Sequence, residues 1–165
     1  MTLKLENKLW WEYIGEDLQE LLLTSKALVE KVSLLGENFD DYSFVVFPAA
    51  KAYEGFLKKL FLDLGFITKE DYYGKRFRVG KALNPDLEPY LREKEGVYDR
   101  IVAYCGGKDL ADRFWNTWKL SRNLIFHWFP DEKNIIDLEE AKARLGMIIE
   151  ALDLAVKECK IKFNR

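Results

Sequence analysis

Apolar residues recur at helical spacing in four blocks of the chain. The blocks run from about Asn7 to Leu35, Asp40 to Leu64, Asp109 to Phe129 and Asp137 to Lys160. At about 100° per residue, the apolar positions of each block share one face of a helix. No stretch reads convincingly as a β-sheet. We therefore predict an all-α fold in which residues 1–165 form a single four- or five-helix bundle.

Glycines, prolines and capping residues indicate where these helices begin and end. Gly36 follows the first block, and Asp137 precedes the last block with Glu140 in a capping-box position. Pro130 ends the third block, because the residue before a proline avoids the α region. Pro48 lies inside the second block, where it either kinks the helix or marks its true first turn.

The pattern is irregular between the second and third blocks. Residues 66–83 mix aromatic side chains, bases and glycines, which predicts a long loop or a short hairpin. Asn84-Pro85 offers a helix N-cap, although Pro89 keeps that element irregular. A short helix is expected from Val97 to Tyr104, closed by Gly106-Gly107.

Composition indicates a globular protein without a strong general attraction to nucleic acid. Of the 165 residues, 48% are hydrophobic and the net charge is −2, so phosphate binding must come from local clusters. No run approaches the roughly 20 apolar residues of a membrane helix, and no signal-peptide pattern is present. Cys105 and Cys159 lie far apart in apolar stretches, which predicts reduced core thiols in a cytoplasmic protein.

The residues with chemical potential are few. His127 is the only histidine, and no HExxH or CxxC spacing occurs, so we predict no metal site. No glycine-rich phosphate loop is present, and we predict no cofactor. The segment Arg122–His127 remains as the candidate site.

In a straight helix, Asn123 and His127 project away from the apolar stripe, within about 40° of Asn116. Arg122 lies about 140° from His127 at the other edge. A histidine that exchanges a proton near a fixed cation suits phosphodiester cleavage. The bland alternative is a histidine that only caps a helix C-terminus.

A basic cluster interleaved with aromatic residues comes after the second block. Such a cluster suits single-stranded RNA, because bases stack on the rings while cations contact phosphates. The alternative is a solvated loop whose aromatic rings fold back onto the core. The predicted RNA-binding residues are Lys75, Arg76, Arg78 and Lys81.

Arg122-Asn123-x-x-x-His127 resembles the R-x4-6-H signature of the HEPN superfamily of ribonucleases, whose domains are all-α bundles with this motif on a late helix. The stretch Ala52–Lys59 resembles the earlier helix, in which many members keep an acidic residue facing the motif. Here that residue is Glu54. The resemblance covers the chain from about Asp40 onward and is closest to the HEPN domain of RnlA/LsoA-type toxins.

The resemblance implies a metal-independent endoribonuclease of a toxin–antitoxin or defence system. His127 would transfer the proton, Arg122 would stabilise the phosphate, Asn123 would orient the site or the substrate, and Glu54 would position Arg122 by a bidentate pair. RNA, a second copy of the chain and a cognate antitoxin protein are the implied partners.

Alternatives remain open at this point. Glu54 is also placed for an ordinary helical ion pair with Lys58. The off-stripe residues Trp115, Leu120, Phe126 and Phe129 indicate either a homodimer contact or burial within a larger monomeric bundle. The protein is alternatively a non-catalytic HEPN-like binding or dimerisation module that partners a nucleotidyltransferase, or a plain helical interaction protein.

Overall fold

All regular structure in the computed structural model is helical; the structure describes residues 4–36, 38–105 and 107–161. The predicted all-α class is confirmed. The elements are a 3-10 turn (Leu5–Asn7), α1 (Trp11–Ile14), α2 (Glu16–Leu35), α3 (Ser43–Asp63), α4 (Lys69–Tyr73), α5 (Val79–Ala82), α6 (Pro89–Glu95), α7 (Tyr98–Tyr104), α8 (Lys108–Trp118), a π-turn (Lys119–Asn123) and α9 (Leu138–Glu158). These nine α-helices of the described ranges exceed the four or five expected, because short helices fill the irregular stretch.

The predicted first helix is divided at Gly15. Its φ of +81° lies in the region that only glycine adopts freely, so the chain changes direction between α1 and α2. The Gln19 side chain then donates to the Trp11 carbonyl at 2.9 Å. At the other end of α2, Gly36 adopts the left-handed conformation expected of a helix stop.

Pro48 is the sixth residue of α3, so it does not mark the first turn. Proline disturbs the hydrogen bonding of the helix around it. The neighbouring Ala49 N–H donates to the Ser25 hydroxyl of α2 at 2.9 Å. Ser25 is fully buried, and this bond satisfies both polar groups where α2 and α3 pack together.

The irregular stretch contains helices where a loop or hairpin was predicted. Thr68 and Asp71 form a reciprocal capping box that starts α4. Pro89, expected to disrupt its element, instead occupies the first turn of α6, where its missing N–H costs nothing. The N-cap predicted at Asn84 is a local turn, in which its side chain accepts from the Asp86 N–H. Gly106 lies outside the described residues.

Buried side chains from α1 to α9 form one core cluster. The largest fully buried members are Trp10, Tyr53, Phe56, Phe61, Phe114, Leu5, Leu57, Leu60, Leu83, Ile101, Ile148 and Leu152. The last helix begins as predicted, with the Asp137 carboxylate accepting from the Glu140 N–H at 2.7 Å. Within the described residues, no helix is both long enough and apolar enough to span a membrane.

Cys105 and Cys159 are joined by a disulfide, so the prediction of two reduced thiols is wrong. They lie 54 residues apart in sequence, with Cα atoms 4.3 Å apart. Packing brings the end of α7 against the end of α9, a proximity that sequence spacing does not reveal. The cysteines therefore give no support to the predicted cytoplasmic location.

We expect this disulfide to stabilise the fold measurably. Because it closes a loop of 54 residues, replacing both cysteines with alanine should lower the free energy of unfolding by about 2–4 kcal/mol. Denaturant unfolding with and without reductant measures the effect. The unfolding midpoint of the double variant should be the same with and without reductant. An unfolding midpoint of the native protein that reduction leaves unchanged would contradict the expectation.

Candidate active site

The helix that carries the candidate residues departs from α geometry beside them. Helix α8 ends at Trp118, and a π-turn comes next, closed by a hydrogen bond from the Leu124 N–H to the Lys119 carbonyl at 3.0 Å. A π-turn adds a residue to one turn and rotates the residues after it. The chain has left the helix by His127. The predicted helix to Phe129, and the angle between Arg122 and His127 based on it, are therefore wrong.

Most of the predicted buried stripe survives this change. Buried positions along it are Leu110, Phe114, Trp118, Ser121 and Ile125. Trp128 would fall on the same stripe of a helix continued to Phe129, but it is 82% exposed because the helix has already ended.

The structure brings Glu54 and Arg122 together. The Nε–H of Arg122 donates to Oε2 of Glu54 at 3.0 Å, and Nη2 lies 2.9 Å from the same oxygen in the ion pair. Both nitrogens therefore contact one oxygen, whereas a bidentate pair with both oxygens was expected. The alternative pair with Lys58 is not formed, since that ammonium lies 5.8 Å from the centre of the Tyr72 ring.

Aromatic contacts fix the position of this ion pair. The guanidinium carbon of Arg122 lies 4.8 Å from the centre of the Trp118 ring, in a cation–π contact. The Tyr53 hydroxyl donates to the Phe114 carbonyl at 3.1 Å, which sets the register of α3 against α8. Burial raises the pKa of Tyr53 well above its ordinary value, so this hydroxyl remains a protonated donor.

Glycine permits a further close contact behind Trp118. A Cβ atom at Gly80 of α5 would overlap the indole nitrogen of Trp118. The absence of a side chain at Gly80 thus lets α5 pack directly against the ring that supports Arg122. Sequence reasoning did not single out either Gly80 or Trp118 as part of the site.

His127 and Asn123 are both exposed. In the described parts of the chain, neither side chain forms a hydrogen bond with Glu54 or Arg122. The backbone carbonyl of His127 accepts from the Asn134 side chain at 3.4 Å. The imidazole makes no bond to a helix carbonyl among the described residues, so the geometry gives no support to a capping role.

A surface loop displays His127. The Glu132 N–H donates to the Phe129 carbonyl, and Asp131 has a φ of +65°. With Pro130 before it, this is the pattern of a type II turn. The far end of the loop is anchored where the Ile136 N–H donates to the Asp41 carboxylate at 3.2 Å.

Aromatic residues lie in this loop and on the neighbouring surface of α3. Phe47 of α3 is 50% exposed and makes an edge contact with Phe126 at 5.2 Å between ring centres. Trp115 and Phe126 pack partly on the core, which matches the alternative of burial within one chain, and Leu120 is half-buried. Phe129 is 41% exposed. We call the following set the aromatic face: Phe39, Phe44, Phe47, Phe126, Trp128 and Phe129.

The predicted RNA-binding residues lie at a separate cavity of about 280 Å³. Arg76, Arg78 and Lys81 line it. Lys75 is not among the lining residues, but its carbonyl accepts from Nη1 of Arg78 at 2.8 Å. Sequence reasoning missed Lys94 and Arg100, which also line the cavity, because they come from α6 and α7 and share no local motif with the others.

No group of three or more histidine, cysteine, aspartate or glutamate side chains is placed to hold a metal ion within the described residues. The chain matches no protein-family model, no curated protein and no solved structure. Its function is therefore inferred from its own residues and from the motif resemblance.

The contact between Glu54 and Arg122 predicts energetic coupling. Both side chains are about one-third exposed, so a double-mutant cycle with alanine should give a coupling free energy of about 1 kcal/mol. Chemical denaturation of the four proteins measures it. The matched control pairs Glu54→Ala with Lys119→Ala, an exposed cation on the same turn without an ion pair. Equal coupling in both cycles would contradict a specific contact.

Proposed function

We propose that the protein is a metal-independent endoribonuclease of HEPN type, acting as a toxin or defence nuclease. The observation that carries the proposal is the ion pair of Glu54 with Arg122, which joins the acidic position of one helix to the first residue of the R-x4-6-H motif. This is the pairing that the motif resemblance leads one to expect. It supports the assignment of residues, and a cleavage assay is the test of activity.

Arg122 keeps donors free for a substrate. A guanidinium has five N–H groups in a planar fork, and the pair with Glu54 uses Nε and Nη2. Stacking on Trp118 and the grip of Glu54 hold the fork in one orientation. The remaining N–H groups suit the non-bridging oxygens of a phosphate, whose negative charge increases in the transition state.

In the proposed reaction, the ribose 2′-hydroxyl attacks the adjacent phosphorus. The new bond joins O2′ to phosphorus while the bond from phosphorus to O5′ breaks, leaving a 2′,3′-cyclic phosphate and a 5′-hydroxyl. His127 takes the proton from the 2′-hydroxyl, and a proton is returned to the leaving 5′ oxygen. Asn123, exposed on the same segment, hydrogen-bonds the substrate or orients it.

Two copies of the chain complete the proposed site. Within the described part of one chain, the imidazole of His127 forms no hydrogen bond with Glu54 or Arg122, and we assign the remaining half of the site to a second copy. The aromatic face borders the loop of His127 and is the surface through which a second copy would dock. A cognate antitoxin protein is the further partner expected of such a toxin.

A second candidate is a non-catalytic HEPN-like binding or dimerisation module that partners a nucleotidyltransferase. The same ion pair favours it to a degree, because Glu54 and Arg122 tie α3 to the π-turn and would stabilise a scaffold equally well. The two candidates differ in one respect. Only the nuclease needs an exposed and titratable His127.

RNA cleavage should continue in excess chelator and leave cyclic phosphate ends, and His127→Ala should slow it by roughly 10²–10⁴-fold. Because the side chain is exposed, its loss should leave the melting temperature nearly unchanged. Gel analysis of a labelled single-stranded RNA gives both the rate and the end groups. Lys133→Ala, at an exposed residue of the same loop, serves as the matched control.

Two outcomes would overturn the nuclease assignment. One is the absence of cleavage by the wild-type protein on every RNA tested, which would leave the binding module as the remaining candidate. The other is full activity in a correctly folded His127→Ala protein, which would assign any cleavage to a different group.

Charge on the aromatic face should impair both assembly and cleavage. We expect Phe129→Glu, and the more buried Phe126→Glu, to weaken dimerisation by roughly tenfold or more, since an unpaired carboxylate would be buried in the contact. Light scattering over a concentration series measures the dimer, and the RNA assay measures the consequence. Tyr90→Glu, at an exposed aromatic residue of α6, is the control. A monomer that cuts RNA at full rate would rule out the shared site.

A further inference from the structure

The cavity between α4, α5, α6 and α7 has an unusual concentration of positive charge. Seven charged residues line it, and five of them are basic, although acidic residues outnumber basic ones in the chain as a whole, by 28 to 26. The five basic residues are Arg76, Arg78, Lys81, Lys94 and Arg100. An excess of this kind within a concave site focuses potential on an anion.

Both carboxylates in the lining are already engaged. The Asp71 carboxylate accepts from the backbone and the hydroxyl of Thr68, each at 3.0 Å. The Glu95 carboxylate pairs with Lys81 at 2.7 Å. Neither carboxylate forms an ion pair with Arg76, Lys94 or Arg100 among the described residues, and the lining keeps three more basic than acidic residues.

Some of the basic side chains at the cavity are hydrogen-bonded to backbone carbonyls, and others have no partner among the described residues. Arg100 donates through Nη1 to the Phe66 carbonyl at 2.6 Å, which fixes its guanidinium at the cavity and leaves the other N–H groups available. Arg78 is similarly bonded to the Lys75 carbonyl. Arg76 and Lys94 form no ion pair or hydrogen bond with any residue that the structure describes. An anion in the cavity would supply the partner that they lack.

One wall of the cavity is apolar and includes aromatic rings. Phe66 makes an edge contact with Tyr104, whereas Phe77 makes no contact with another ring in the described chain. Phe77 is only partly buried and lines the same cavity as the unpaired cations. A ring beside clustered cations fits a ligand that joins a flat heterocycle to a phosphate. The volume of about 280 Å³ equals that of about nine water molecules at ~30 Å³ each.

We propose that this cavity binds a nucleoside phosphate. Its phosphate lies among Arg76, Lys94 and Arg100, and its base stacks on Phe77. The nucleotide is either one unit of an RNA strand or a free nucleotide. The inference rests on the proposed nuclease function only in favouring the strand, and its test is independent of cleavage.

Direct contacts connect the cavity to the candidate active site. Helix α5 contributes Lys81 and Ala82 to the lining, and its Gly80 abuts the indole of Trp118. The same indole contacts the Arg122 guanidinium. Helix α5 and the Trp118 ring would thus separate a nucleotide in the cavity from Arg122. This arrangement suits a subsite for a nucleotide that flanks the cleaved bond.

Titration calorimetry tests the proposal with adenosine 5′-monophosphate, adenosine, inorganic phosphate and a six-nucleotide single-stranded RNA. The protein also carries His127→Ala, so that the RNA stays intact. The test variants are Arg76→Ala/Lys94→Ala and Phe77→Leu. The matched control is Lys31→Ala/Lys157→Ala, which removes two exposed lysines of α2 and α9 that do not line the cavity. Melting curves check that each variant is folded.

Adenosine monophosphate should bind at least tenfold more tightly than adenosine or inorganic phosphate, and more weakly as salt rises. The Arg76→Ala/Lys94→Ala protein should lose at least tenfold in affinity for it, and the control should match the unsubstituted protein. Phe77→Leu should weaken the binding of adenosine monophosphate and leave the affinity for inorganic phosphate unchanged. Tighter binding of the RNA would assign the site to a strand, and tighter binding of the monophosphate to a free nucleotide; both support the proposal.

Equal binding of adenosine monophosphate and phosphate would overturn it, as would undiminished binding by a folded Arg76→Ala/Lys94→Ala protein. Failure of the proposed nuclease looks different. In that case the wild-type protein would bind adenosine monophosphate in the cavity and cut no RNA.

Discussion

The packing of α3 against α2, α9 and the π-turn is the constraint on which the rest of the structure depends. Ten of the 21 residues of α3 are buried, so packing decides which of its faces points outward. Pro48 disturbs the hydrogen bonding inside this helix, and the Ser25 hydroxyl of α2 accepts from the neighbouring Ala49 N–H. These contacts fix the rotation of α3 about its own axis. Glu54 therefore lies beside Arg122.

The π-turn positions Arg122 as the partner of Glu54. An unbroken α-helix would carry Arg122 at a different angle, because each inserted residue rotates the positions after it. The turn instead leaves the guanidinium on the face of Trp118 and within reach of Glu54. It also ends the helix early, so that His127 emerges on an exposed loop. Irregular backbone of this type often accompanies functional sites, and here it coincides with the motif.

Positive charge is concentrated at one cavity, although the chain as a whole is negatively charged. The net charge of −2 provides no general attraction for RNA, yet the cavity beside α5 has three more basic than acidic lining residues. Such a distribution favours a polyanion that approaches in one orientation over one that binds anywhere. The contact of Gly80 with Trp118 connects this basic region with the ion pair of Arg122, which relates the two proposed sites within one surface.

The sequence by itself determined the features that depend on neighbouring residues. Apolar periodicity located the four long helices, Asp137 marked the start of α9, and the motif singled out Arg122, His127 and Glu54 as candidates. The sequence did not reveal the break at Gly15 in the first helix, and it wrongly indicated that Pro89 makes its element irregular, because both effects depend on the conformation of the flanking chain. Only the tertiary structure decided that Cys105 meets Cys159, that Glu54 pairs with Arg122 rather than Lys58, and that Lys94 and Arg100 join the basic cluster. These pairs lie far apart along the chain, so the packing of whole helices, which no local pattern encodes, brings them together.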